Sequence, residues 1–159
     1  MLDGAAQRMI RPTLDRLGAA LARRGVTADQ VTFFGFALGL LAAGAIATRL
    51  YLFGLALILA SRLCDGLDGA VARASAKSDR GGFLDIVLDF AFYGMIPLGF
   101  VIADPAANAV AGATLLFCFY VNGASFLAYA IMAEKRGLAT AALGWWLVHP
   151  PVWNIKETM

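Results

Sequence analysis

Apolar residues fall in long runs separated by short polar stretches. Val31 to Thr48 carries no charge, and after Arg49 a second run extends from Leu50 to Leu63. A third runs from Gly82 to Ala103 with Asp85 and Asp89 inside it, and a fourth covers roughly Ala106 to Ala133. A bilayer-spanning helix needs about 20 mostly apolar residues, so four transmembrane helices are predicted. A further stretch, Leu138 to Val148, is too short by the same rule, and Pro150-Pro151 stops it. Before the first run, Ile10, Leu14, Leu17 and Leu21 recur at helical spacing among arginines. That pattern predicts an amphipathic helix, lying on the membrane surface or packed on the protein. Thr27 and Gln30 read as a capping box opening the first span.

Composition agrees. The 159 residues are 60% hydrophobic and 15% charged; soluble domains average about 45–50% and about 25%. A net charge of +2 makes no electrostatic case for nucleic acid. Cys64 and Cys118 lie in apolar stretches and form neither a disulfide framework nor a CxxC metal motif. The arginine-interrupted N-terminus is not a signal peptide. Basic residues gather in three segments: Arg8 to Arg24, Arg73 to Arg80, and Lys135-Arg136. With four alternating spans these share one side, which the positive-inside rule makes cytoplasmic, leaving Arg49 and Asp104 opposite. Gly35 and Gly39 form a GxxxG that permits close helix contact, and a homodimer is expected. The expected fold is all-α. Residues 1–26 form the juxtamembrane helix, 27–137 a polytopic membrane bundle, and 138–159 an atypical tail.

Four aspartates stand out because a carboxylate at mid-helix in a membrane costs about 2.5–3.5 kcal/mol. Asp65 and Asp68 are spaced i, i+3, and Asp85 and Asp89 i, i+4, so each pair shares a helix face. Joined by a short polar loop, the two helices can bring these faces together. Protons, a Lys or Arg, or divalent cations could neutralise four converging carboxylates. Two dications would balance them, and all-oxygen sites suit Mg²⁺ or Mn²⁺. Two metals about 3.5–4 Å apart clamp a transferring phosphoryl group. The only histidine, His149, is far away in sequence. Gly69 and Gly81 suit helix packing or room for a ligand, and Arg73 a phosphate contact or a membrane anchor. An ion path would need polar residues reaching the other surface, and none follow.

The string Asp65-x2-Asp68-Gly69-x2-Ala72-Arg73-x7-Gly81-x3-Asp85-x3-Asp89 resembles the signature of the CDP-alcohol phosphotransferases. The likeness extends roughly to Leu138. It implies an integral membrane enzyme of phospholipid biosynthesis, moving a substituted phosphoryl group from a CDP-linked donor, usually CDP-diacylglycerol, to an alcohol with release of CMP. By position, Asp65, Asp68, Asp85 and Asp89 would hold two Mg²⁺ or Mn²⁺ ions. Asp89 would also be the general base, and Asp68, Gly69, Ala72, Arg73 and Gly81 would bind the cytidine diphosphate. Lys77, Arg80, Lys135 and Arg136 suit either a phosphorylated acceptor or the positive-inside rule. Seven residues separate Arg73 from Gly81 where the family usually has eight, and Thr27-Ala28-Asp29 stands for Thr-Pro-Asn. Four spans stand where six are usual, and the tail from Ala139, with Trp145, Trp146 and Trp153 suggesting an interfacial belt, reads as a shortened C-terminus. The alternative expectation is therefore an inactive paralogue that binds only metal or a partner.

Overall fold

The Thr27 hydroxyl accepts from the Gln30 amide, and Gln30 Oε1 accepts from the Thr27 amide, so the capping box forms as the sequence predicts. A computed structural model describes residues 2–75 and 79–136, with side chains from Ile10 onward except Asp79. Five α-helices follow in order: α1 (Leu2–Arg23), α2 (Ala28–Ala47), α3 (Tyr51–Ala74), α4 (Asp79–Ala103) and α5 (Pro105–Lys135). Among the described residues, α2, α4 from Arg80, and α5 are long and apolar enough to cross a membrane.

The second predicted span differs. Its apolar run ends at Leu63 while its helix continues to Ala74, so Arg62, Asp65, Asp68 and Arg73 all lie on α3 and dilute its apolarity. Its 24 residues still extend roughly 36 Å, enough for the hydrocarbon layer. The candidate at Leu138–Val148, Lys77 and the tryptophans lie outside the described residues.

Two turns aim the helices. Gly25 ends α1 at φ 80°, with its amide bonded to the Ala22 carbonyl and that of Val26 to Leu21. This is the Schellman pattern, and glycine meets its left-handed position without strain. Arg49 ends α2 in the same way at φ 66°, where a side chain costs about 1–2 kcal/mol. Its guanidinium offsets that cost by donating from Nε and Nη2 to the Ala103 carbonyl, at 3.1 and 2.9 Å. Arg49 thereby ties the α2–α3 turn to the end of α4. Asp104 then caps α5, accepting from the Ala107 amide, with Pro105 at the first helical position.

Helix α2 packs on both α3 and α4, and α1 packs on α3. The GxxxG face is consumed inside the chain. A Cβ on Gly35 would lie 2.9 Å from Cys64 Cβ, and one on Gly39 2.6 Å from Phe92 Cδ2. These glycines let α2 approach α3 and α4, which corrects their reading as a contact between copies. Of the two readings of α1, packing on the protein holds: a Cβ on Gly18 would meet Ala70 and Val71 backbone at 2.7 and 2.9 Å. Ile10 and Leu17 nevertheless stay exposed. The chain divides into compact units at Phe119–Tyr120, and every candidate site residue lies in the first.

Candidate active site

The last turns of α3 and the first turns of α4 place the aspartates near each other. One carboxylate oxygen each from Asp65, Asp68 and Asp85 lies within 4.8 Å of the other two. Asp68 is buried, and Asp65 and Asp85 are half-buried. The Thr32 hydroxyl, on α2, donates to Asp68 Oδ2 at 2.7 Å. This all-oxygen set without His or Cys fits a hard divalent cation such as Mg²⁺ or Mn²⁺.

Asp89 lines the same crevice beside Asp65 and is paired with Arg62. Arg62 Nη1 donates to its Oδ1 at 2.9 Å and lies 3.5 Å from Asp65 Oδ2. The guanidinium stacks on the Phe92 ring, 3.9 Å from its centre. All four predicted ligands line the crevice; Asp65, Asp68 and Asp85 form its tightest oxygen set, and Asp89, beside Asp65, also pairs with Arg62.

A second, larger cavity of about 660 Å³ adjoins this crevice. Its wall includes Gly25 and Val26 of the first turn, Asp29 and Thr32 of α2, Gly69 and Ala72 of α3, and Gly81 of α4. Thr32, Asp68 and Asp85 border both spaces. The volume is ordinary for a small-molecule site. Four of the five positions expected to bind cytidine diphosphate, Asp68, Gly69, Ala72 and Gly81, lie on this wall. Arg73 turns toward α1, donating from Nε and Nη2 to Asp15 Oδ1 at 3.3 and 2.7 Å.

A family model for CDP-alcohol phosphatidyltransferases matches residues 25–153. The chain belongs to this family. The CDP-alcohol phosphatidyltransferase match begins at Gly25, the turn residue on the cavity wall, and covers every acidic residue of the crevice. Among curated relatives, the inner membrane protein YnjF of Escherichia coli (strain K12) is 49% identical over 136 residues, covering 86% of this chain and 66% of the relative. Archaetidylinositol phosphate synthase of Pyrococcus horikoshii is 31% identical over 136 residues, covering 85% and 70%. The enzyme of that name in Methanothermobacter thermautotrophicus is 37% identical over 94 residues, 58% of this chain and 45% of the relative. The chain spans about two thirds of the length of the first two. The apolar helices and these relatives mark it as an integral membrane protein.

Sequence reading passed over Arg62, Thr32 and Asp15. Arg62 had a signal: it is a lone charge in an otherwise apolar run, three residues before Asp65. Asp15 had none, because its partner Arg73 is 58 positions away.

Proposed function

We propose that the chain transfers a substituted phosphoryl group from a CDP-linked lipid donor, CDP-diacylglycerol, to an alcohol, releasing CMP. The observation that carries this reading is the shared border: Asp68 and Asp85 belong both to the carboxylate cluster and to the wall of a nucleotide-sized cavity. A diphosphate placed in that cavity meets the cation site. Asp65, Asp68 and Asp85, with Asp89 beside them, would hold the divalent metal. When bound, the cation supplies positive charge to the diphosphate oxygens and to the departing CMP.

The residues do the rest. Gly69, Ala72 and Gly81 leave room for the nucleotide against the helix backbones. Arg73, held by Asp15 at the cavity's edge, supplies a guanidinium for a phosphate. Asp89 accepts the proton of the acceptor hydroxyl. That oxygen bonds to the lipid-bearing phosphorus, the anhydride P–O bond breaks, and its electron pair leaves with CMP. The lipid tails stay among the apolar helices, and the basic segments of the sequence support a cytoplasmic position for this end of the bundle. The names of the archaeal relatives rank an inositol phosphate first among acceptors.

The test is to incubate the purified full chain in lipid nanodiscs with CDP-diacylglycerol, Mg²⁺ and separately inositol phosphate, glycerol 3-phosphate or serine, following CMP. Alcohol-dependent CMP release that disappears in Asp89→Asn is expected. No release with any acceptor would overturn the reading.

A further inference from the structure

Asp15 and Arg73 meet across the contact between α1 and α3, and the way they meet divides the guanidinium. Nε and Nη2 both donate to Asp15 Oδ1, at 3.3 and 2.7 Å. Nη1 takes no part in that fork. It lies beside Gly69, 3.4 Å from where a Cβ on that residue would stand, and Gly69 belongs to the wall of the larger cavity. Asp15 is held in turn. Its other oxygen, Oδ2, lies 3.7 Å from Arg11 Nε, one turn back on α1. The helix beneath it is seated on α3: Leu14 Cδ1 lies 3.1 Å from the Cβ position of Gly66, and Gly18 lies against Ala70 and Val71.

An unrestrained arginine loses rotamer freedom when it takes a phosphate, and that loss weakens binding. Here Asp15 has imposed the loss before any ligand arrives. A carboxylate so close could instead compete with the phosphate for the guanidinium. Two observations decide against competition. The fork leaves Nη1 out, so a phosphate need not displace Asp15. The Asp15 side chain is also 44% exposed, so water screens its charge from a ligand farther off in the cavity.

We infer that Asp15 is a positioning residue, turning Arg73 so that Nη1 faces the diphosphate of a nucleotide in the larger cavity. The inference rests on the reading of that cavity as a cytidine diphosphate site; it does not require that transfer follows.

The probe is CDP, bound to the full chain in nanodiscs with Mg²⁺ and measured by calorimetry. Asp15→Ala is expected to weaken CDP about threefold to tenfold, the effect of freeing one long side chain. On an Arg73→Gln background the same substitution should cost less than about twofold, because Asp15 acts through Arg73. Undocking of α1 would lower affinity only in proportion to the docked fraction lost. The distance between nitroxides at Leu17→Cys and Leu63→Cys reports that fraction, and the CDP loss should exceed it. Mn²⁺ is also titrated in without nucleotide and followed by the loss of the free-Mn²⁺ paramagnetic resonance signal; Asp15→Ala should bind it within about twofold of the wild type. Unchanged or tighter CDP binding in Asp15→Ala, additive losses in the double variant, a CDP loss no greater than the fall in docking, or an equal loss of Mn²⁺ affinity would each overturn the assignment. CDP binding that depends on Asp15, without CMP release from any alcohol, would refute transfer and leave the role of Asp15 standing. CMP release with CDP binding indifferent to Asp15 would do the reverse.

Discussion

Gly18→Ala is expected to unseat α1. A Cβ at Gly18 would stand 2.7 Å from the carbonyl carbon and Cβ of Ala70 and 2.9 Å from the Val71 nitrogen. That falls roughly 0.7 Å short of the 3.4 Å at which ordinary contact begins. The atoms it meets are the backbone and Cβ of the last turns of α3 and cannot rotate away, so α1 must retreat. Overpacking of this kind costs about 1–3 kcal/mol. Asp15 lies one turn earlier on the same face and moves with it, stretching its 2.7 Å bond to Arg73 beyond hydrogen-bonding range. Since Asp15 is 44% exposed, that pair adds only about 0.2–1 kcal/mol. Together, about 1–4 kcal/mol shifts the docked-to-undocked ratio by roughly fivefold to several hundredfold. Alanine's higher helix propensity, worth about 1 kcal/mol, cancels if α1 stays helical on the membrane surface.

The readout must therefore report docking, not helicity. Nitroxides at Leu17→Cys and Leu63→Cys, both exposed positions, give the α1–α3 distance distribution by double electron–electron resonance, with Cys64 and Cys118 replaced by alanine. Gly18→Ala should add a longer, broader population. Asp15→Ala should shift the ratio by no more than about fivefold, being limited to the ion pair. Gly44→Ala, with nothing within 4 Å of its added Cβ, should leave the distribution unchanged. A Gly18→Ala distribution that superimposes on the parent would refute the claim that α1 is seated through this contact.

Three further outcomes are expected. Gly39→Ala should lower the thermal midpoint and disturb Arg62, because its Cβ would lie 2.6 Å from the Phe92 ring that carries the guanidinium; Phe92→Leu on that background should recover part of the loss. Thr32→Val removes the donor to Asp68 Oδ2 and should weaken Mn²⁺ binding about 10–100-fold, measured by the same titration. In a chain freed of Cys64 and Cys118, an impermeant maleimide applied to intact cells should label Ala107→Cys and spare Ser75→Cys.

What could be read locally was read well. The capping box at Thr27 and Gln30 involves residues three apart, and the apolar runs coincide with α2, α4 and α5 within a few positions. The aspartate spacings predicted shared faces, and Asp65, Asp68 and Asp85 converge. Reading failed where the partner is distant in sequence. The GxxxG of Gly35 and Gly39 says only that something comes close; that it is Cys64 and Phe92 of the same chain depends on how α2 lies against α3 and α4. That Asp68 is met by the Thr32 hydroxyl could not be read, because Thr32 lies 36 positions away on α2. That Arg73 pairs with Asp15 could not be read either, because Asp15 lies 58 positions away.

Those distant contacts give α1 a place in the site. A helix with arginines between its leucines needs only a membrane surface to be stable, and such a helix could swing freely. This one cannot, since Gly18 seats it on α3 and Asp15 reaches Arg73. Its C-terminal turn then delivers Ala22, Gly25 and Val26 to the wall of the larger cavity. The opposite wall is Gly69 and Ala72, on the same helix that carries Asp65 and Asp68. The packing of α1 on α3 therefore sets one dimension of the cavity, whose remaining walls come from α2 and α4.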